Sequence, residues 1–218
     1  MIKKYKKGVS LQISKHFNAK EFHCHGIGCC SKTMIDTKLI DILEQTRSFF
    51  KKPIKINSGY RCSKHNASVK GNPNSSHVEG KAADIVVIGI APKKVAQFLE
   101  SIGVTNLGLY PDRVHVGSRS GKTFWLNDGK KSDYTITTFG GCPYKKPKRV
   151  SFGDKGNGVK YVQWWLRFRG IRGKNGKFLK VDGDYGLNTR IAVNNYRKLK
   201  GWETADYLKA KGIKELSR

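Results

Sequence analysis

The stretch NSSHVEGKAADI, residues 74–85, sets a His in a loop of small residues and, with six residues between, an Asp at the mouth of an apolar run. That run, AADIVVIGI, has strand length and a β-rich composition, so it reads as a strand central in a sheet. A carboxylate there is stripped of water, and it persists only if it is paired, hydrogen-bonded or bound to a metal. Two readings follow: a metal site, or a loop that satisfies one buried polar residue.

The flanking pattern supplies the frame. TMIDTKLIDILEQTRSFFKK places Ile35, Leu39, Ile42, Leu43, Thr46 and Phe49 near helical spacing, which predicts an amphipathic helix. PIKINSGYR alternates apolar and polar residues and stops at Ser58-Gly59, a short strand entering a turn. APKKVAQFLESIG puts Val95, Phe98, Leu99 and Ile102 on one face between Pro92 and Gly103, a second helix. NLGLY and RVHVGS read as two strands joined at the turn YPDR. After Trp125 the pattern dissolves into Lys, Gly and Pro, with room for one short strand. It returns in GVKYVQWWLRFRG, where Val159, Val162 and Leu166 share a face, and in TRIAVNNYRKLKGW, through Ala192, Tyr196 and Leu199, with Gly201 as the C-cap. The expected class is α+β, with a domain over residues 1–128, a basic linker over 129–149 and a small all-helical unit over 150–218.

A hydrolytic zinc site needs three protein ligands and one open position. His77 and Asp84 supply two, and His115, on the strand RVHVG, is the candidate third. A base is also needed, and Asp112 stands three residues before His115 in the preceding turn. Arg61, closing NSGYR, is the candidate cation for a substrate carbonyl or carboxylate. Taken singly, each has an ordinary reading: a surface-loop His, a loop-capping carboxylate, a half-buried strand His, a turn residue, a solvated charge. Cys62 follows Arg61 but is not needed as a nucleophile, because metal-assisted hydrolysis requires no covalent intermediate.

SGYRCSKHNASVKGNPNSSHVEGKAADI and GLYPDRVHVGSRSGKTFW together resemble the zinc D-Ala-D-Ala carboxypeptidases of the bacterial and phage cell-wall peptidase family. That family also includes D-Ala-D-Ala dipeptidases and L-alanyl-D-glutamate endopeptidases. The marks are the S-G-Y-R turn, the S-x-H-x-x-G-x-A-x-D motif and a later His on a strand; HFNAKEFHC resembles the family's opening segment. The resemblance runs over roughly residues 14–126. It implies a small antiparallel-sheet zinc peptidase domain of the D-Ala-D-Ala carboxypeptidase/hedgehog-like kind. It further implies His77, Asp84 and His115 as zinc ligands, Asp112 as general base, Arg61 on the scissile carbonyl and Ser75 in contact with substrate. One departure is visible: many relatives continue H-V-D after the last ligand, whereas this chain has Val116-Gly117. A missing carboxylate there alters what orients the ligands, but zinc binding is still expected.

Downstream, GDKGNGVKYVQWWLRFRG and VDGDYGLNTRIAVNNYRKLKGW resemble the three-helix peptidoglycan-binding domain over about residues 150–203. The turn DGDYGLNT, residues 182–189, carries most of it; the first helix is a looser match, with Gln163 ahead of Trp164-Trp165. Trp164, Trp165 and Tyr185 are either wall contacts or core. FHCHGIGCC gathers His23, Cys24, His25, Cys29 and Cys30, enough soft ligands for a second, structural zinc, although packing or a labile disulfide serves as well.

The formal charge of +27 implies a polyanionic partner. Both parts share it, with 25 basic against 10 acidic residues over 1–147 and 18 against 6 over 148–218. No helix-turn-helix or zinc-finger spacing would read bases, so specific nucleic-acid binding is not expected; peptidoglycan and anionic wall polymers are. No stretch is long enough for membrane insertion, and a monomer is expected. Five cysteines, odd in number and unevenly spaced, argue against a secreted disulfide framework. MIKKYKKGVSLQISKHF lacks an apolar core and a cleavage site, so synthesis without a signal peptide is expected, with action at the bacterial wall after holin release. The expected function is a zinc metallopeptidase on peptidoglycan stem peptides, of D-Ala-D-Ala carboxypeptidase/endopeptidase type, in a phage endolysin or autolysin. An L-alanyl-D-glutamate endopeptidase and a non-catalytic wall-binding protein are the alternatives.

Overall fold

The computed structural model describes residues 1–127, 129 and 133–217, and the chain divides into two compact units, Met1–Gly141 and Cys142–Arg218. The first opens with an antiparallel ribbon of β1 (Ile2–Lys6) and β2 (Lys32–Asp36), joined through a short 3-10 turn at Ala19–Phe22. Helix α1 (Thr37–Phe50) starts directly after β2, because the Asp36 carboxylate accepts the Lys38 N–H and so caps it. Ile35, expected on the helix stripe, therefore belongs to β2, while Leu39, Ile42, Leu43 and Thr46 are buried on α1 as their spacing predicts.

The remaining elements are β3 (Ile54–Ser58), α2 (Ser63–Ser68), β4 (Ala82–Val87), α3 (Pro92–Ser101), β5 (Asn106–Leu109), β6 (Val114–Gly117), β7 (Thr123–Asn127) and β8 (Asp133–Thr135). Six of the strands form one sheet in the order β3-β4-β6-β5-β7-β8. β4 is paired on both sides, as its apolar run required. The sheet is mixed rather than antiparallel, because β7 runs parallel to β5. The connectivity forces this: β6 folds back along one edge of β5, and the next strand, reversing again, takes the other edge in the direction of β5.

Period-two alternation divides the sheet into two faces. Ala83, Ile85 and Val87 of β4, Val114 and Val116 of β6, Leu107 of β5 and Phe124 of β7 are all buried. Helices α1 and α3 cover that face, with Phe49 and Phe98 stacked at 4.3 Å between them. The opposite face carries Asp84 and His115. Of the stretch expected as a linker, residues 133–141 pack on the first unit: Phe139 lies against Phe124, and Phe139 N–H and Gly141 N–H both donate to Glu100 Oε2 at 2.9 Å. Residues 130–132 of that stretch, and residue 128 before it, lie outside the described residues.

In the second unit a ribbon of β9 (Arg149–Ser151) and β10 (Tyr207–Lys209) accompanies helices α4 (Asn157–Phe168), α5 (Leu187–Leu199) and α6 (Ala210–Leu216). Trp165 and Tyr185 are wholly buried and belong to the core, whereas Trp164 is partly exposed and stacks on Phe168 at 4.7 Å. Buried Gln163 organises the turn at 182–189. Its Nε2 lies 2.7 Å from Asp182 Oδ1 and 2.9 Å from Thr189 Oγ1, and its Oε1 accepts the Gly183 N–H at 2.8 Å. A buried amide must find partners for both ends, and this turn supplies them.

Candidate metal centre

The loop before β4 is wound so tightly that its His is forced inward. Val78 N–H donates to Ser75 O, Gly80 N–H to His77 O and Lys81 N–H to Ser76 O, at 2.9–3.1 Å. Gly80 has a φ of +69°, and a Cβ there would stand 2.4 Å from Met34 O, so the G of H-x-x-G answers both to backbone sign and to space. His77 is consequently only 1% exposed. Its Nδ1 lies 2.6 Å from Gly59 O. A carbonyl only accepts, so Nδ1 carries the proton and Nε2 is left with its lone pair facing the sheet.

The other two candidate ligands come from neighbouring strands. Asp84 of β4 is directly opposite His115 of β6, hence on the same face. His115 Nδ1 lies 3.0 Å from Asp84 Oδ1 and 3.1 Å from His77 Nε2, and His77 Nε2 lies 3.4 Å from Asp84 Oδ1. These three atoms form a triangle positioned to hold a metal ion. Zinc with N and O ligands at about 2.0–2.1 Å makes a tetrahedron whose edges are about 3.3 Å. Two imidazoles and a carboxylate also match the donor types zinc takes when one position is left open, so the residues fit the ion.

Electrostatics favours the metal-ready protonation states. Burial pushes the Asp84 carboxyl up, but the His115 and His77 rings beside it overcome this and hold it far below the ordinary carboxylate range. Burial also lowers His115, aided by His77 and Arg61 and opposed by Asp84, so it favours the neutral imidazole that ligates.

Several residues around the triangle escaped the sequence reading. Ser58, Asp84, His115, Gly108 and Trp125 occupy one row across β3, β4, β6, β5 and β7. A Cβ on Gly108 would stand 2.2 Å from the Trp125 ring; without one, the indole crosses β5 and reaches His115, ring centres 4.9 Å apart. Trp125 Nε1 donates to the Tyr110 hydroxyl at 3.1 Å. Gly117 leaves room for Asn106: a Cβ there would lie 2.0 Å from Asn106 Oδ1, which accepts from the Ser76 hydroxyl at 3.4 Å. The loop holding His77 is thereby steadied by an amide from β5. Only strand register reveals these partners.

The remaining expected residues are placed differently. Arg61 N–H donates to His77 O at 3.2 Å, and its buried Nε has no hydrogen-bond partner among the described residues. Ser75 Oγ accepts the His77 N–H at 3.3 Å and so shapes the loop. Asp112 sits in the β5–β6 turn, where Tyr110 N–H donates to Arg113 O. Its side chain is 66% exposed and pairs with Arg113 at 2.9 Å, outside the triangle.

No curated protein matches the chain. A solved structure described as the crystal structure of SleB N-terminal domain is similar at 25% identity, over 34% of this chain and 92% of that chain, with a TM-score of 0.29. The family described as Peptidase M15 matches residues 15–117, which contain His77, Asp84, His115, Arg61 and Asp112. Over that segment the chain is similar to the peptidase M15 family.

Proposed function

We propose that the chain is a zinc metallopeptidase hydrolysing amide bonds in peptidoglycan stem peptides, of the D-Ala-D-Ala carboxypeptidase/endopeptidase type, and that its second unit binds peptidoglycan. The observation carrying this is the convergence of His77 Nε2, Asp84 Oδ1 and His115 Nδ1 within 3.4 Å of one another, with the His77 tautomer set by Gly59 O. When bound, zinc polarises a carbonyl and makes water acidic enough to attack at neutral pH.

The chain's own residues supply the rest. Arg61 offers a buried Nε–H that has no hydrogen-bond partner among the described residues, suited to the scissile carbonyl oxygen as charge builds on it. Asp112 is the carboxylate we assign as base. Its pairing with Arg113 is a surface contact of the kind worth about 0–1 kcal/mol, so exchanging that partner for an attacking water costs little. Ser75, whose hydroxyl accepts the His77 N–H, is the residue we assign to substrate contact. Trp125 and Tyr110 wall one side and keep bulk water from His115. In the second unit the DGDYGLNT turn and the partly exposed Trp164–Phe168 stack support wall recognition, and the +27 charge suits anionic wall polymers. No helix among the described residues is long and apolar enough to cross a membrane. Action at the wall, as an endolysin or autolysin, fits these features together.

Mass-spectrometric digests of purified peptidoglycan and of a soluble pentapeptide stem test the reading, with zinc-loaded wild type beside a chelated sample and His77→Ala. Products are expected only with zinc and intact His77. Their masses name the bond: released D-Ala, an opened crosslink, or a cut between L-Ala and D-Glu. Absence of products from a protein that still pellets with walls would leave wall binding without catalysis as the account.

A further inference from the structure

We propose that Cys24, Cys29, Cys30 and Cys62 form a second metal site, a tetrathiolate centre for one zinc ion that clamps residues 23–31 to the turn carrying Arg61. The four sulfurs lie within 4.8 Å of one another. Contacts are 3.5 Å for Cys24–Cys29, 3.7 Å for Cys29–Cys30 and 3.8 Å for Cys24–Cys62. Zinc bound to four thiolates at about 2.3 Å has sulfur–sulfur edges of about 3.8 Å. The thiols are free, and the fifth cysteine, Cys142, belongs to the other unit.

Besides the thiols, Lys7 holds residues 23–31, its backbone N–H donating to Ser31 O at 2.8 Å and its Nζ to Gly26 O. They contain no helix or strand, and Ile27 is fully exposed. Their apolar surroundings are the thiols themselves with Tyr60 and Met34. The backbone is nevertheless shaped to gather sulfur. Gly28, at φ +59°, turns the chain so that Cys29 and Cys30 fold back, and a Cβ on Gly26 would stand 2.6 Å from Cys29 Sγ. Cys62 arrives from 38 residues beyond Cys24, at the N-cap of α2. Backbone N–H groups of Cys62 and His65 donate to Cys24 Sγ and Cys62 Sγ, each at 3.4 Å, which steadies thiolate charge.

The histidines of FHCHGIGCC stay outside this set. His23 Nδ1 bonds Lys20 O, and the His23 and His25 rings pack edge to face at 5.4 Å. An all-sulfur tetrahedron selects zinc over hard cations, and each ligating thiol releases its proton as the ion enters. Tyr60 N–H donates to Phe22 O at 2.8 Å, so Arg61 lies between that bond and Cys62, and the ion acts on Arg61 by position alone.

The site stands independently of the catalytic reading, and one experiment separates them. Zinc per chain is measured by elemental mass spectrometry on full-length protein purified under reducing conditions, as wild type, His77→Ala and Cys30→Ser. Two zinc ions are expected in wild type and one in each variant. Cobalt-substituted His77→Ala should keep the thiolate-to-metal absorption that Cys30→Ser loses. Should Cys30→Ser fail to fold, alkylation of wild type decides: the four thiols react only after chelation if they hold zinc. A wild type whose single zinc disappears in His77→Ala overturns the proposal. So do disulfides among the four thiols, or alkylation indifferent to chelation. A His77→Ala protein with one zinc beside a two-zinc wild type that cuts nothing would sink the peptidase reading and leave this site standing.

Discussion

Each ligand of the triangle is made ready by a neighbour that fixes which atom faces inward. Gly59 O takes the His77 Nδ1 proton, and Asp84 lies against His115 Nδ1. Because burial lowers His115 from its ordinary 6.5, the unfolded chain takes up a proton there before the folded one does. Stability from this residue is full above pH 6.5 and is lost as pH falls through the lowered folded value. Thermal unfolding across this acid range should show stability falling with pH by at most about 1.4 kcal/mol per unit from His115. His115→Gln should flatten that slope; an unchanged slope would remove His115 as its source. For the chemical step, Asp112→Asn should lower kcat by about 10²–10⁴-fold while zinc content and KM hold. A kcat near wild type would assign the base elsewhere, with Tyr110 the next group to test. Motif spacing made the three candidate ligands legible, but that Asp112 faces Arg113 depended on how the turn closed.

Among the elements, the strands set the site more than the loops do. Asp84, His115, Gly108 and Trp125 share a row only because β6 lies between β4 and β5 and β7 adds on in parallel. Gly108→Ala would drive a methyl group into the Trp125 ring, and overpacking of this kind costs about 1–3 kcal/mol. Chemical denaturation should register that loss, and indole fluorescence should report the displaced ring. Wild-type stability in the variant would mean that Trp125 does not need the gap. The helices α1, α3, α4 and α5 were readable because an apolar stripe repeats along each one. β1 and β2 were not, since β1 buries no residue fully and β2, five residues long, runs straight into α1 with too irregular a burial pattern to show a period.

At the scale of the whole molecule, both units carry excess positive charge, and the proposed target is a polyanionic wall. Pelleting with purified walls should weaken as salt rises from 0.1 to 1 M, where the Debye length shrinks from about 10 to about 3 Å. Hydrolysis of a small soluble stem peptide should change far less. Wall binding indifferent to salt would assign recognition to contacts such as Trp164 rather than to charge. By itself the sequence determined the helices, the central strand, the charge and the candidate residues of the triangle, because periodicity, composition and local motifs are properties of neighbours along the chain. Tertiary structure alone decided the mixed sheet, the gap at Gly108 that Trp125 crosses, the Asn106 amide beside Gly117 and the joining of Cys62 to three thiols far behind it. Those depend on strand order and register, where residues meet through contacts between segments that no local pattern records.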